Sequence, residues 1–125
     1  MENNTLRKIL IVDDSSTNNL LFQHLLEDEG YTVLIADNGE DAIKMTDKDR
    51  PHLVLLDIML PGVDGFQVLQ ELKENKKTKD IPVVMVTAKN DTWSMKKSMD
   101  LGAYDYVVKP IQIESFLEKV KGVFE

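Results

Sequence analysis

The sequence predicts an α/β fold: a five-stranded parallel sheet, doubly wound, with helices on both faces. Strand-like apolar runs recur five times, at "KILIV", "TVLIA", "HLVLLD", "PVVMVTA" and "YDYVVK". Amphipathic stretches of helical length separate them, which is the alternation expected of a parallel sheet. Ile9, Leu10, Ile11 and Val12 are apolar at consecutive positions, so that strand needs cover on both faces. Right-handed crossovers then give a doubly wound sheet, for which 2-1-3-4-5 is the usual order at this size.

Taken in order, the first strand ends at Asp13 and Asp14, and the first helix starts near Ser16 with Ser and Thr available as caps. That helix is expected to bury Leu21, Phe22, Leu25 and Leu26 and to stop at Gly30. The second helix carries Ala42 and Ile43 after the turn "DNG", and the third carries Phe66, Leu69 and Leu72 after "PGVDG". A fourth runs from about Asp91 to Leu101, and a fifth from about Gln112 to the end. No repeats, linkers or low-complexity segments interrupt this pattern.

The chain has 125 residues and is 42% hydrophobic, enough for one core, so residues 1–125 are expected to form a single domain. Its 15 Lys and Arg against 22 Asp and Glu give a net charge of -7, which argues against direct binding of nucleic acid. With no cysteine there is no disulfide, thiol nucleophile or Cys-ligated zinc, and a reducing, cytoplasmic setting is expected. The segment "MENNTLRK" lacks the apolar stretch of a secretory signal, and no run is long enough for membrane insertion.

Ligands of open α/β sheets bind beyond the carboxyl ends of the strands, where the winding reverses. Those ends carry Asp13 and Asp14 on strand one, Asp57 on strand three, Thr87 and Ala88 on strand four, and Lys109 and Pro110 on strand five. Strand two ends in Ala36 and offers nothing. Two adjacent carboxylates at about 4 Å repel by roughly 4 kcal/mol at an effective dielectric of about 20, so they call for a counter-charge or a surface position. The order 2-1-3-4-5 brings three carboxylates, a hydroxyl and an ammonium around one crevice, and such a rim suits a hard divalent cation such as Mg²⁺. His24 and His52 lie far apart in this topology and support neither a metal pair nor a phosphohistidine.

Through "VDD" at 12 to 14, "LDIMLPGVDG" at 56 to 65, "VTA" at 86 to 88 and "VKP" at 108 to 110, essentially the whole chain resembles the receiver domain of bacterial two-component response regulators. The resemblance implies a flavodoxin-like sheet and a chemotaxis-regulator-like receiver. It implies Asp57 as phosphoryl acceptor, and Asp14, Asp57 and the backbone carbonyl of Met59 as direct Mg²⁺ ligands, with Asp13 acting through a metal-bound water. Mn²⁺ should substitute. Thr87 and Lys109 would contact the phosphoryl oxygens, with the amides of Met59 and Ala88 completing the cradle. Thr87 and Tyr106 would form the switch, and the Lys109–Pro110 bond would be cis. The implied partners are a sensor histidine kinase or histidine phosphotransfer protein upstream and an output protein or domain downstream, docking on a surface of helix four, strand five and helix five. Trp93 is a candidate anchor on that surface.

A phosphatase of the haloacid-dehalogenase type would share the Asp nucleophile and Mg²⁺, but it wants a second Asp where this chain has Met59. A flavodoxin-like redox carrier would need donors for an FMN phosphate where "DDSSTN" presents carboxylates.

Overall fold

The computed structural model describes residues 7–125. Ten elements alternate along the chain: β1 (Lys8–Val12), α1 (Ser16–Asp28), β2 (Thr32–Ala36), α2 (Gly39–Asp49), β3 (Leu53–Leu56), α3 (Gly65–Glu74), β4 (Val83–Thr87), α4 (Thr92–Asp100), β5 (Asp105–Val108) and α5 (Ile113–Val123). The strands form one parallel sheet in the order β2-β1-β3-β4-β5, as expected. Its winding reverses between β1 and β3, where a crevice opens at the carboxyl edge.

Alternation along each strand sends side chains to opposite faces and builds two cores. Leu10, Val12, Val54, Leu56, Val83 and Met85 face α2 and α3, packing on Ala42, Val68, Leu69 and Leu72. Ile9, Ile11, Leu53, Leu55, Val84 and Val86 face α1 and α5, packing on Phe22, Leu26, Phe116 and Val120. Every residue of β3 and β4 is buried, whereas the edge strand β5 is half-buried throughout.

Local chemistry starts and stops the helices where the pattern places them. Side chains of Ser15, Asn38, Asp64 and Asp91 cap α1 to α4 by accepting from backbone N–H groups three residues on. Asp64 and Gln67 complete a reciprocal capping box. Beyond α1, Gly30 sits at φ 95°, and the N–H of Tyr31 reaches back to the carbonyl of Leu26, closing the helix end. One expectation needs correction. Leu21 is exposed, because α1 turns Phe22 and Leu26 inward together with Asn19, and Leu25 is only half-buried.

No helix among the described residues is long and apolar enough to cross a membrane.

Candidate functional site

Parallel ladder bonds hold the carboxyl ends of the inner strands side by side. The Asp57 N–H donates to the carbonyl of Val12 at 3.0 Å, and the Lys109 N–H donates to the carbonyl of Thr87 at 2.8 Å. Asp13, Asp57 and Lys109, far apart in sequence, thereby meet at one edge. Asp13 and Asp57 are both buried. The Lys109 ammonium lies between them, donating to Asp13 Oδ2 and, at 2.9 Å, to Asp57 Oδ2. This bridge supplies the counter-charge that two buried carboxylates require. Burial opposes protonation of Lys109, but the hydrogen bonds and charges of both aspartates outweigh it and raise its pKa above the ordinary lysine value.

The remaining lone pairs of the two aspartates are also used. Asp13 Oδ1 accepts from the Ser15 N–H at 2.9 Å, and Asp57 Oδ1 accepts from the Met59 N–H at 3.1 Å. The loop after Asp57 is drawn in by a contact only glycine permits. A Cβ on Gly65 would lie 2.2 Å from the Asp57 carbonyl oxygen, and the Gly65 N–H donates to Ile58 at 2.8 Å. Nothing in the sequence pattern marked Asn19 as a partner, yet its Nδ2 pins the Asp13 carbonyl at 2.8 Å.

Asp14 behaves differently from its neighbour. It is exposed and lines a recess on the β2 side with Asn19, Asp37 and Asp41. The crevice thus gathers two carboxylates and the ammonium, with the third carboxylate at its rim. Among the described residues no group of three or more acidic, His or Cys side chains is placed to hold a metal. The donor chemistry nevertheless fits Mg²⁺, since hard carboxylate oxygens already gather one cation between Asp13 and Asp57.

A family model for the response regulator receiver domain matches residues 9–121. The chain belongs to that family. It is 38% identical over 117 residues to the alkaline phosphatase synthesis transcriptional regulatory protein PhoP of Bacillus subtilis, covering 94% of this chain and 48% of that protein. To the protein PilH of Pseudomonas aeruginosa it is 38% identical over 116 residues, covering 93% of this chain and 96% of PilH. The chain therefore spans about half the length of PhoP and of several other regulators it matches, and nearly all of PilH. Among solved structures, the BeF3-activated N-terminal receiver domain of Klebsiella pneumoniae RstA superposes with a TM-score of 0.88 at 28% identity, covering 95% of this chain and 99% of that one. The chemotaxis protein CheY4 of Vibrio cholerae gives a TM-score of 0.88 at 28% identity, covering 94% and 98%.

In this receiver Thr87 is fully buried, and its Oγ1 lies 3.4 Å from the Lys89 N–H, a long contact from that donor. Tyr106 is in register with Met85, so it and Thr87 share the α3–α4 face of the sheet. The Tyr106 hydroxyl donates to the Lys89 carbonyl at 2.7 Å. Lys89 thus joins the two switch candidates, one through its N–H and one through its carbonyl. Burial, with the charges of Asp91 and Asp57, raises the Tyr106 pKa above the usual tyrosine value. The Lys109–Pro110 bond is cis and Ala88 is exposed at the mouth of the crevice. Met59 is exposed as well, 55% accessible, beside the acceptor candidate.

Trp93 projects from α4 with 64% of its surface exposed. It meets Phe66 of α3 edge-on, with ring centroids 5.9 Å apart, and the Lys97 ammonium sits 4.6 Å from the Phe66 centroid and 4.9 Å from that of Trp93. His52 does structural work, its Nδ1 accepting from the Lys8 N–H at 2.9 Å.

Proposed function

We propose that this receiver is a phosphorylation-activated switch in which Asp57 accepts a phosphoryl group from a histidine kinase or histidine phosphotransfer protein. The observation that carries the reading is the ammonium of Lys109 held between two buried carboxylates at the carboxyl edge of the sheet. An Asp57 oxygen attacks phosphorus, the new O–P bond forms as the P–N bond of the phosphohistidine breaks, and the imidazole leaves with a proton from solvent. Phosphoryl transfer has a loose transition state with charge spread over the equatorial oxygens, so alignment and positive charge are the main requirements. Lys109 supplies charge to those oxygens, and the amides of Met59 and Ala88 with the Thr87 hydroxyl supply donors. Mg²⁺, held by Asp13, Asp14, Asp57 and the Met59 carbonyl, would neutralise charge and align donor and acceptor when bound.

The aspartyl phosphate adds about -1.5 to -2 charge and three acceptor oxygens. Drawing the Thr87 hydroxyl toward them breaks its contact with Lys89, on whose carbonyl Tyr106 rests. The disturbance reaches α4, β5 and α5, where an output protein or domain would read it. Turnover of phosphomonoesters is not expected, because Met59 offers no acid or base at the position a phosphatase would need. Slow loss of the phosphate follows from the same residue, which only weakly orients an attacking water.

Incubation with acetyl phosphate and Mg²⁺ should add one phosphoryl group by intact mass, acid- and alkali-labile, with none on Asp57→Asn or after Mg²⁺ removal. Normal labelling of Asp57→Asn would rule out this acceptor.

A further inference from the structure

A second polar feature lies beside the crevice, on the far side of Asp14 from Asp57. It is a recess of about 410 Å³ between the loops that follow β1 and β2, lined by Asp14, Ser16, Asn19, Asp37 and Asp41 with Ile35 and Ala36 at its base. Asn38 donates from one amide to both Asp37 Oδ1, at 2.9 Å, and Asp41 Oδ2, at 3.0 Å, which fixes these two carboxylates as a pair. Among the described residues no ion pair reaches Asp14, Asp37 or Asp41.

Asn19 supplies the independent observation. It is 95% buried, its Nδ2 is committed to the Asp13 carbonyl, and its Oδ1 is a buried acceptor with no partner. Leaving such an atom unpaired costs on the order of 1–3 kcal/mol, so a donor is expected to meet it. Apart from the Ser16 hydroxyl and the Asn19 Nδ2, which is already spent on Asp13, the polar side-chain groups lining the recess are acceptors, and three of them are charged. The matching ligand is a cation with several N–H donors. A directly coordinated metal ion fits less well, since no three of these carboxylates are grouped for one.

We infer that this recess binds a basic side chain, best a guanidinium, presented by the protein that docks to deliver the phosphoryl group. The identity of that protein rests on the function proposed above, whereas the binding chemistry does not. A guanidinium can span the Asp37–Asp41 pair with two parallel N–H bonds and still direct a donor to Asn19. An arginine anchored there would place its protein over the Asp57 edge and would explain selection among donors that the phosphoryl chemistry itself cannot distinguish.

The test is a ¹H–¹⁵N NMR titration of the chain with ethylguanidinium chloride, against sodium chloride at equal ionic strength. Expected are saturable shifts of the Asn19 side-chain amide and of the backbone at 37–41. Binding should weaken roughly ten-fold in the Asp37→Asn/Asp41→Asn protein, in line with the loss of two partly exposed charge pairs. Labelling by acetyl phosphate, which carries no basic group, should be unchanged in that variant, and its failure on the parent chain would indict the acceptor reading instead. Shifts that match the sodium chloride control overturn the proposal. So does saturation of the Asn19 amide by Mg²⁺ alone in Asp57→Asn with displacement of ethylguanidinium, which would make the recess a metal site.

Discussion

Helices α3 and α4 lie next to each other on the same face of the sheet, and they are held there by different means. α3 buries Val68, Leu69 and Leu72 against fully buried strands. At about 1.5–3 kcal/mol for each such side chain, that is roughly 5–9 kcal/mol of hydrophobic anchoring. α4 is nine residues long and buries Ser94 and Ser98 instead, with the Ser98 hydroxyl spent on the Ser94 carbonyl of its own helix at 2.9 Å. What fastens its outer side is the contact of the exposed Trp93 with the half-buried Phe66 and Lys97, and the strand beneath it is the half-buried edge β5. The lesson is a division of labour. The acceptor candidate sits at the start of the loop into the firmly anchored helix, and α4 lies where little apolar area resists movement.

Truncation should expose that asymmetry most strongly. Leu69→Ala is expected to cost about 2–5 kcal/mol in denaturant unfolding, whereas Ser98→Ala should stay within about 0.5 kcal/mol. Backbone amides of α4 should exchange with solvent faster than those of α3; equal protection of the two helices would break the comparison.

Next in size is the charge cluster. Lys109→Met leaves Asp13 and Asp57 buried and facing each other, and a loss of about 2 kcal/mol is expected, below the range for fully buried pairs because the lysine is partly solvated. Mg²⁺ should restore part of the lost melting temperature in this variant. No Mg²⁺ effect on that temperature would argue against the carboxylates as cation ligands.

The α4–β5 region should also be the one most sensitive to extremes of pH. Hydrogen bonds from the Ser94 N–H and hydroxyl lower the Asp91 pKa from 3.8, so its stabilising cap is present above that value and is lost as pH falls through the lower, folded one. Tyr106 shifts the other way. Burial, then Asp91 and Asp57, raise it from 10.0, so its contribution is complete below pH 10 and disappears as pH rises through the folded value. The difference in phenolate absorbance between the parent chain and Tyr106→Phe should therefore develop only above the ordinary tyrosine range.

A small effect is expected at the trio of Trp93, Phe66 and Lys97. Lys97→Met should cost about 0.5–1 kcal/mol, the range for an exposed cation–π contact, and should alter Trp93 emission. An unchanged spectrum would mean the ammonium does not occupy that position in solution.

Much of this was legible in the residues alone. Four of the five strand ends are visible as apolar runs halted by Asp13, Asp57, Thr87 and Lys109, because a covered parallel strand must be apolar along its length and can turn polar only where it leaves the sheet. Contacts that depend on how a helix is rotated were not legible. Leu21 reads as core but faces out, and the burial of Ser94 and Ser98 carries no apolar signal in the sequence, since four-residue spacing of small side chains lets α4 approach the sheet without apolar bulk. The outward position of Asp14 and the orphaned oxygen of Asn19 belong to the same class, being set by loop paths that periodicity does not encode.

The central claim is that charge at Asp57 moves the loosely held α4 through Thr87. Trp93, the one tryptophan of the chain, reports on it directly. A ligand shifts a two-state surface only by interacting differently with the two states, and a hydrogen bond from Thr87 would supply that difference. Adding Mg²⁺ and beryllofluoride together should shift Trp93 fluorescence in the parent chain, leave Asp57→Asn unchanged, and give a reduced shift in Thr87→Ala at saturating beryllofluoride. A full shift in Thr87→Ala would contradict the coupling, even with Asp57 still the acceptor.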